Sequence, residues 1–505
     1  MPFNFDRPSK IVGLNYDDDH VLHARALRFA VTPNPFGAGT GQKDTEDGRR
    51  LIAAVGAALA RRAANSGSGD LEELEINFVY SSPRNRYIDM ASGGLYLFRH
   101  GHAADITSEH VAAWLRFGER RVTGRFTVAV PVPPRHAKTT KTAATAEVPA
   151  PERKKSLLSA AMPASARAET MSLTLGNATL TIPVAGAGAF AALSDLLLSH
   201  ARIEPNGGTD ERNLGRLLSA SCCPRLRRLR LAHIAGLSAL RCGAPATLEE
   251  VRLEHVRDMA MASDDAAVAI SAPRLETLAC ADMCRPERLR FDGVETVRCL
   301  DRIFLWSHGH PVGYSNAGAV WLLRNCTAAH SLGVHVSPPV AKNWRDMEEM
   351  MSPVPQLPRI TNLTIDAQWQ HLESSIAKLI AKCTRIERLS IDISKPCDPC
   401  SNPRCFCTQE GLGWDEQKIH LERLNEVKIT GLQPSDSHLS LVGRVIASAP
   451  ALKRFTVELY IGKELDCSRI PCNRGHWAPC VRDQEQSSRI RAYNKVYEWT
   501  PDIGG

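Results

Sequence analysis

The chain has 505 residues, 43% of them hydrophobic and 6% aromatic, with a formal net charge of +7. That is enough apolar material for a sizeable core, and the charge excess is too slight for this length to be a nucleic-acid footprint. No apolar run reaches the roughly 18 residues of a membrane helix. The N-terminus carries no signal-like core, so the expectation is an intracellular protein, cytoplasmic or nuclear, whose 15 cysteines stay as thiols.

Along the chain one spacing keeps returning: apolar-x-x-apolar-x-apolar. A possible first copy is Ala24, Leu27, Phe29, and a clear one follows at Leu71, Leu74, Ile76. Between them lies "FGAGTGQKD", 36–44, whose glycines lack the spacing and the Gly-Lys-Ser/Thr ending of a phosphate loop, so a turn is predicted. Residues 110–130, "HVAAWLRFGERRVTGRFTVAV", predict a Trp-bearing helix running into a strand. Residues 131–170 are rich in Pro, Ala, Thr and Lys with little periodicity, and predict a flexible insert.

The spacing then recurs at Leu193, Leu196, Leu198; Leu226, Leu229, Leu231; Leu248, Val251, Leu253; Leu275, Leu278, Cys280; and Val294, Val297, Cys299. A weaker copy is Ala329, Leu332, Val334. The last four are Ile360, Leu363, Ile365; Ile386, Leu389, Ile391; Leu424, Val427, Ile429; and Leu452, Phe455, Val457. From Leu193 to Leu452 the mean period is about 29 residues, at the long end of leucine-rich repeats. The last two apolar positions of each copy lie two apart, as a strand with one buried face requires. Helical patterns precede several copies. Ile376, Leu379, Ile380 and Cys383 fall at i, i+3, i+4, i+7, and "AGAVWLLRNC" and "LVGRVIASAP" behave alike. The predicted fold class is therefore α/β: an irregular leucine-rich-repeat solenoid, a curved parallel sheet with helices on its outer face.

Cys223, Cys326 and Cys383 sit just before a repeat strand, while Cys280 and Cys299 occupy its final apolar position, so all five read as core residues. Two other groups resemble metal ligands: Cys397, Cys400, Cys405 and Cys407 in one loop, and Cys472, His476 and Cys480 in another. The first begins with a CxxC pair, but the C-x-C pair that follows is poorly spaced for a shared tetrahedral zinc. A thiol-rich loop without a closed four-thiolate site is the expectation, with a zinc site shared between the two groups as the minority reading. The histidines of "HGH" at 100–102 and 308–310, His110 and His330 are scattered, and no catalytic triad, HExxH or carboxylate pair is evident. No cofactor is expected.

Several stretches resemble a known family. "AETMSLTLGNATLTIP" (168–183), "FAALSDLLLSHARI" (190–203), the Trp-bearing helix and strand at 110–130 and "APRLETLAC" (272–280) are similar to the repeats of plant F-box/LRR/FBD proteins, a group much expanded in grasses. So is the C-terminal order of a Cys-rich loop, Trp414, "IHLERLNEVKITGL" (419–432) and "IASAPALKRFTVEL" (446–459), which resembles the closing FBD region. The forty to fifty residues of an F-box are not seen, and "PFNFD" at 2–6 looks like the segment that follows one. The resemblance implies five parts: N-terminal repeats over 1–130, the insert 131–170, a central array over 171–395, the Cys-rich loop and FBD-like repeats over 396–465, and a tail 466–505.

In that family the F-box docks on a Skp-type adaptor of a ubiquitin ligase, and the repeats select the substrate. The resemblance therefore implies a non-catalytic protein-interaction module, with an unidentified protein as partner and no Skp-type adaptor. Candidate partner-binding residues are the positions between the fixed apolar ones: Arg227, Arg228 and Arg230 in one copy, and Glu249, Glu250 and Arg252 in the next. The alternative readings are a nucleic-acid binder using the basic insert around "PERKKS" (151–156), and an unrecognised enzyme.

Overall fold

The computed structural model describes residues 22–30, 41–65, 69–81, 87–89, 94–96, 98–99, 105–132, 158–184, 186–204, 214–237, 240–256, 268–281, 289–306, 316–337, 351–367, 373–393, 419–432, 436–459, 475–479 and 496–501. They belong to two compact units, Met1–Ala272 and Pro273–Gly505. The division falls inside the central array expected over 171–395.

Unit 1 runs β1 (Ala26–Ala30), α1 (Gly41–Ala64), β2 (Leu71–Asn77), four short strands β3 (Tyr80–Ser81), β4 (Tyr87–Asp89), β5 (Gly94–Tyr96) and β6 (Phe98–Arg99), α2 (Ser108–Arg121), β7 (Val122–Val130), β8 (Ser159–Ala161), β9 (Thr170–Thr181), β10 (Asp195–Ile203), the single turn α3 (Leu214–Leu217), β11 (Arg228–Ala235), β12 (Leu240–Gly243), β13 (Glu250–Glu254) and β14 (Val268–Ser271). Strands β1, β2, β7, β9, β10, β11 and β13 lie side by side in that order, every pair parallel. β8 joins the second half of β9, and β12 pairs with β14.

Unit 2 runs β15 (Thr277–Cys280), β16 (Leu289–Asp292), β17 (Cys299–Trp306), α4 (Ala317–Asn325), β18 (Ser331–Ser337), β19 (Asn362–Ala367), α5 (Glu373–Ala381), β20 (Arg388–Asp392), β21 (Glu426–Leu432), α6 (Asp436–Ser448), β22 (Arg454–Leu459), β23 (Gly475–Pro479) and β24 (Val496–Pro501). Here β15, β17, β18, β19, β20, β21 and β22 are parallel neighbours in chain order. Antiparallel β24 follows β22 and carries β23. Both units are thus α/β, each with a mostly parallel sheet and few helices.

The local reason for these strands is the same in copy after copy. The first apolar residue closes a turn: the N–H groups of Leu226, Leu248 and Leu452 donate to the carbonyls of Cys223, Pro245 and Ala449, three residues back. The next two N–H groups then converge on one carbonyl of the preceding copy. Arg227 and Arg228 donate to Ser194, Glu249 and Glu250 to Arg227, Thr361 and Asn362 to His330, and Glu387 and Arg388 to Thr361. Strand pairing starts there, so the strands begin about two residues later than the apolar spacing alone suggests. The period-2 alternation puts Leu229 and Leu231 inward, and both are fully buried, as are Leu226, Val251 and Leu253. Burial of each such side chain stabilises the fold by roughly 1.5–3 kcal/mol.

Three expectations need correction. Helix and strand do not alternate regularly: among the described residues, the connections from β9 to β11 contain only turns and the four-residue α3. The copy placed at Val294, Val297, Cys299 is out of frame. Leu300 is the register partner of Leu278, whereas Cys299 partners Thr277 and is only half-buried. The copy begins at Val297, which is fully buried, with the N–H groups of Arg298 and Cys299 converging on the Glu276 carbonyl, so spacing alone placed it three residues early.

The flexible insert expected over 131–170 does not extend over 158–170. β8 pairs with Thr179–Thr181, and Ala160, Met162, Ala166 and Ala168 are buried. Small apolar residues suffice there because they fill space against β9 and its flanking turns. The remainder, 133–157, lies outside the described residues.

Candidate functional site

The outward positions of the unit 1 strands form continuous rows. One contains Glu73, Arg125, Thr170, Asp195, Arg228 and Glu250, and the next contains Arg28, Glu75, Thr127, Ser172, Leu197, Arg230 and Arg252. All six partner-binding candidates lie in or beside these rows, and the structure pairs them. Arg227 reaches both oxygens of Glu249, at 3.0 and 2.8 Å. Arg228 pairs with Asp195. Glu250 holds Arg230 at 2.7 Å and Arg252 at 2.5 Å.

Hydrogen bonding to Asp195 raises the Arg228 pKa further above its ordinary value, and Glu249 does the same for Arg227. The face continues as a charge ladder through Arg28–Glu73 at 2.6 Å. In unit 2 a similar ladder runs Arg388–Glu426–Arg454–Glu498, tightest at the 3.0 Å contact between Arg454 and Glu498. These surfaces are ordered, mixed in sign and largely self-neutralised.

Immediately beyond the charged rows is a feature that the sequence reading missed. His200, His233 and His255 occupy the same place in three consecutive copies, each with positive φ, at 49°, 54° and 53°. Opposite His200 the extra residues belong to β9, since the register shifts from Thr174 beside Ser199 to Ala178 beside Ala201. The left-handed backbone turns three histidines into one row, which is unusual for residues with a Cβ. The rings of His200 and His233 have centroids 4.5 Å apart, and those of His233 and His255 4.8 Å, the latter nearly parallel. His200 is 3% exposed. Burial, helped by the charge of His255, pushes its pKa down to about 4. The sequence signal was present as "LSHA", "LAHI" and "LEHV", each two residues after an inward Leu.

Unit 2 has a second imidazole on its strand face. His335 stacks on Phe304 at 4.7 Å, and its Nδ1 lies 3.3 Å from Asp366, its register partner on β19. Of the other histidines singled out from sequence, His110 closes a capping box with Thr107 at the start of α2 and stacks on Trp114. His330 contributes its carbonyl to the entry of β19. The two HGH stretches lie outside the described residues. Helices α1 and α2 flank an open groove of about 680 Å³, lined by Ile52, Leu59, Trp114 and Phe117, with an Arg49–Asp105 pair (2.9 Å) at its rim.

Cys397, Cys400, Cys405, Cys407, Cys472 and Cys480 lie outside the described residues, as does the side chain of His476. Among the described residues there is no group of three or more His, Cys, Asp or Glu able to hold a metal ion. Four of the five repeat cysteines, Cys223, Cys280, Cys326 and Cys383, are buried core groups, and Cys299 is half-buried. Burial pushes the thiols of Cys223, Cys242, Cys326 and Cys383 up to about 12. Cys223 donates to the Leu217 carbonyl and Cys242 to that of Leu218.

No protein-family model, curated protein or solved structure matches the chain. Among the described residues no helix is long and apolar enough to cross a membrane.

Proposed function

We propose that the chain is a non-catalytic protein-recognition module, built as an irregular leucine-rich-repeat solenoid with an FBD-like C-terminal part. It resembles the substrate-selecting portion of a ubiquitin-ligase receptor. The observation that carries this reading is the pair of adjacent charged rows, Asp195–Arg228–Glu250 and Arg230–Arg252, set out by strand register at fixed lateral spacing over a buried apolar face. A parallel sheet spaces such residues about 4.8 Å apart, giving a broad surface on which a few positions specify a partner. The arginines of this row already face carboxylates, which favours a partner of mixed charge over a polyanion such as nucleic acid.

The test is proximity labelling in the native cell type, comparing the natural chain with a variant in which Arg228, Arg230, Glu250 and Arg252 become Gln. Retained folding is checked by circular dichroism. Selective loss of one set of neighbours supports the reading, and an unchanged set overturns it. A salt-dependent retention of nucleic acid in filter binding would replace it with the basic-insert alternative.

A further inference from the structure

We propose that the row His200–His233–His255 is an acid-sensitive seam in unit 1, closed while its rings are neutral and opened by proton uptake. The inference does not depend on the recognition role above. It rests on three repeat-equivalent histidines whose ring centroids lie 4.5 Å apart with the planes tilted by 36° and 4.8 Å apart with the rings stacked. Stacked neutral imidazoles are compatible at such distances. Adjacent imidazolium ions are not, because little water or counter-charge can come between them.

The surroundings decide which end can take a proton. On β9 the places opposite His200 are Leu175, Gly176 and Asn177, none of them ionisable. The register positions one step earlier are Thr174, Ser199, Ala232 and Glu254, and those one step later are Ala178, Ala201, Ile234 and Val256. Thr174 and Ser199 close one flank through a 2.7 Å hydroxyl contact. Glu254, adjacent to His255, is the only carboxylate in these positions. Arg202 is the nearest fixed cation beyond His200 along β10. Further off, Glu204 accepts from Thr181, and Arg230 and Arg252 are held by Glu250. Among these described register positions the carboxylate therefore lies at the His255 end of the row. A proton on buried His200 requires the strands to part.

The sign follows from the depressed basicity of His200. Above pH about 6.5 it is neutral in both folded and unfolded chains, and the full stability is present. Below that, the unfolded chain takes up a proton that the folded chain refuses until about pH 4. Across this window the folding equilibrium constant falls by up to about 300-fold from this one group.

The test compares the full chain with a variant carrying His200→Asn, His233→Asn and His255→Asn, since Asn tolerates the left-handed backbone and does not titrate. Urea unfolding is followed at about pH 7 and at about pH 4.5. The two proteins carry the same carboxylates, so the natural chain should lose at least tenfold more in its folding constant than the variant. Equal losses overturn the proposal. Should the variant fail to fold, NMR titration of the natural chain with histidine-selective labelling decides the matter. One imidazole still neutral at pH 5 supports the seam, whereas ordinary titration of every histidine near pH 6.5 overturns it.

Discussion

The ring of Phe126 lies directly over the backbone of Gly118, where a Cβ would come within 2.3 Å of the ring. Gly118 is on α2, and Phe126 is a fully buried inward residue of β7. The absent side chain is what lets the helix approach the sheet this closely. Gly118→Ala should therefore destabilise the protein by about 1–3 kcal/mol through overpacking, read as a lower urea midpoint. Adding Phe126→Leu should recover part of the loss in a double-mutant cycle, and strict additivity would show that the two do not share this contact.

Two carboxylates on neighbouring outward positions should differ sharply. Glu250 holds Arg230 and Arg252, whose side chains are only 26% and 22% exposed. Glu250→Gln leaves two partly desolvated guanidinium groups without that charge and should cost about 1–2 kcal/mol. The Arg227–Glu249 pair is far more exposed and screened by solvent. Glu249→Gln should leave the urea midpoint unchanged within error. Equal effects of the two substitutions would contradict this assignment.

Asn316 is a buried polar clamp. Its Oδ1 accepts from the Trp306 N–H at 2.8 Å and its Nδ2 donates to the Trp306 carbonyl at 2.9 Å. It joins the end of β17 to the start of α4, and it is 3% exposed. Asn316→Ala should cost about 2–4 kcal/mol, because buried backbone groups lose their partner. Asn316→Asp cannot restore the donated bond, so it should not recover that loss. A stable aspartate variant at neutral pH would argue against the clamp.

The buried thiols should be inert in the folded protein. With pKa values pushed up to about 12, Cys223, Cys242, Cys326 and Cys383 hold almost no thiolate at pH 8. Alkylation followed by peptide mass spectrometry should find them unmodified in native protein and fully modified in urea. Rapid native labelling of any of the four would show that its surroundings open.

The inward face of most copies could be read directly from the chain. Leu226, Leu229 and Leu231, or Ile386, Leu389 and Ile391, announce themselves because strand alternation is local, and the turn ahead of each copy fixes its phase. Helices α4, α5 and α6 were legible for the same reason, since their apolar spacing repeats within one segment. The misplaced copy at Val294, Val297 and Cys299 marks the limit of that logic: the copy that pairs with β15 runs Val297, Leu300 and then Arg302, which breaks the spacing, so only the pairing fixes the frame.

What meets what across the strands was not local. Arg230 finds Glu250 twenty residues away, and His200 finds His233 and His255, because the register of the sheet aligns them. The sequence by itself determined which face of most strands is buried. Only the tertiary structure decided that charges on neighbouring copies neutralise one another and that three histidines form a single row. Facing is a property of consecutive residues along one strand, whereas lateral contact depends on how separate strands are brought into register.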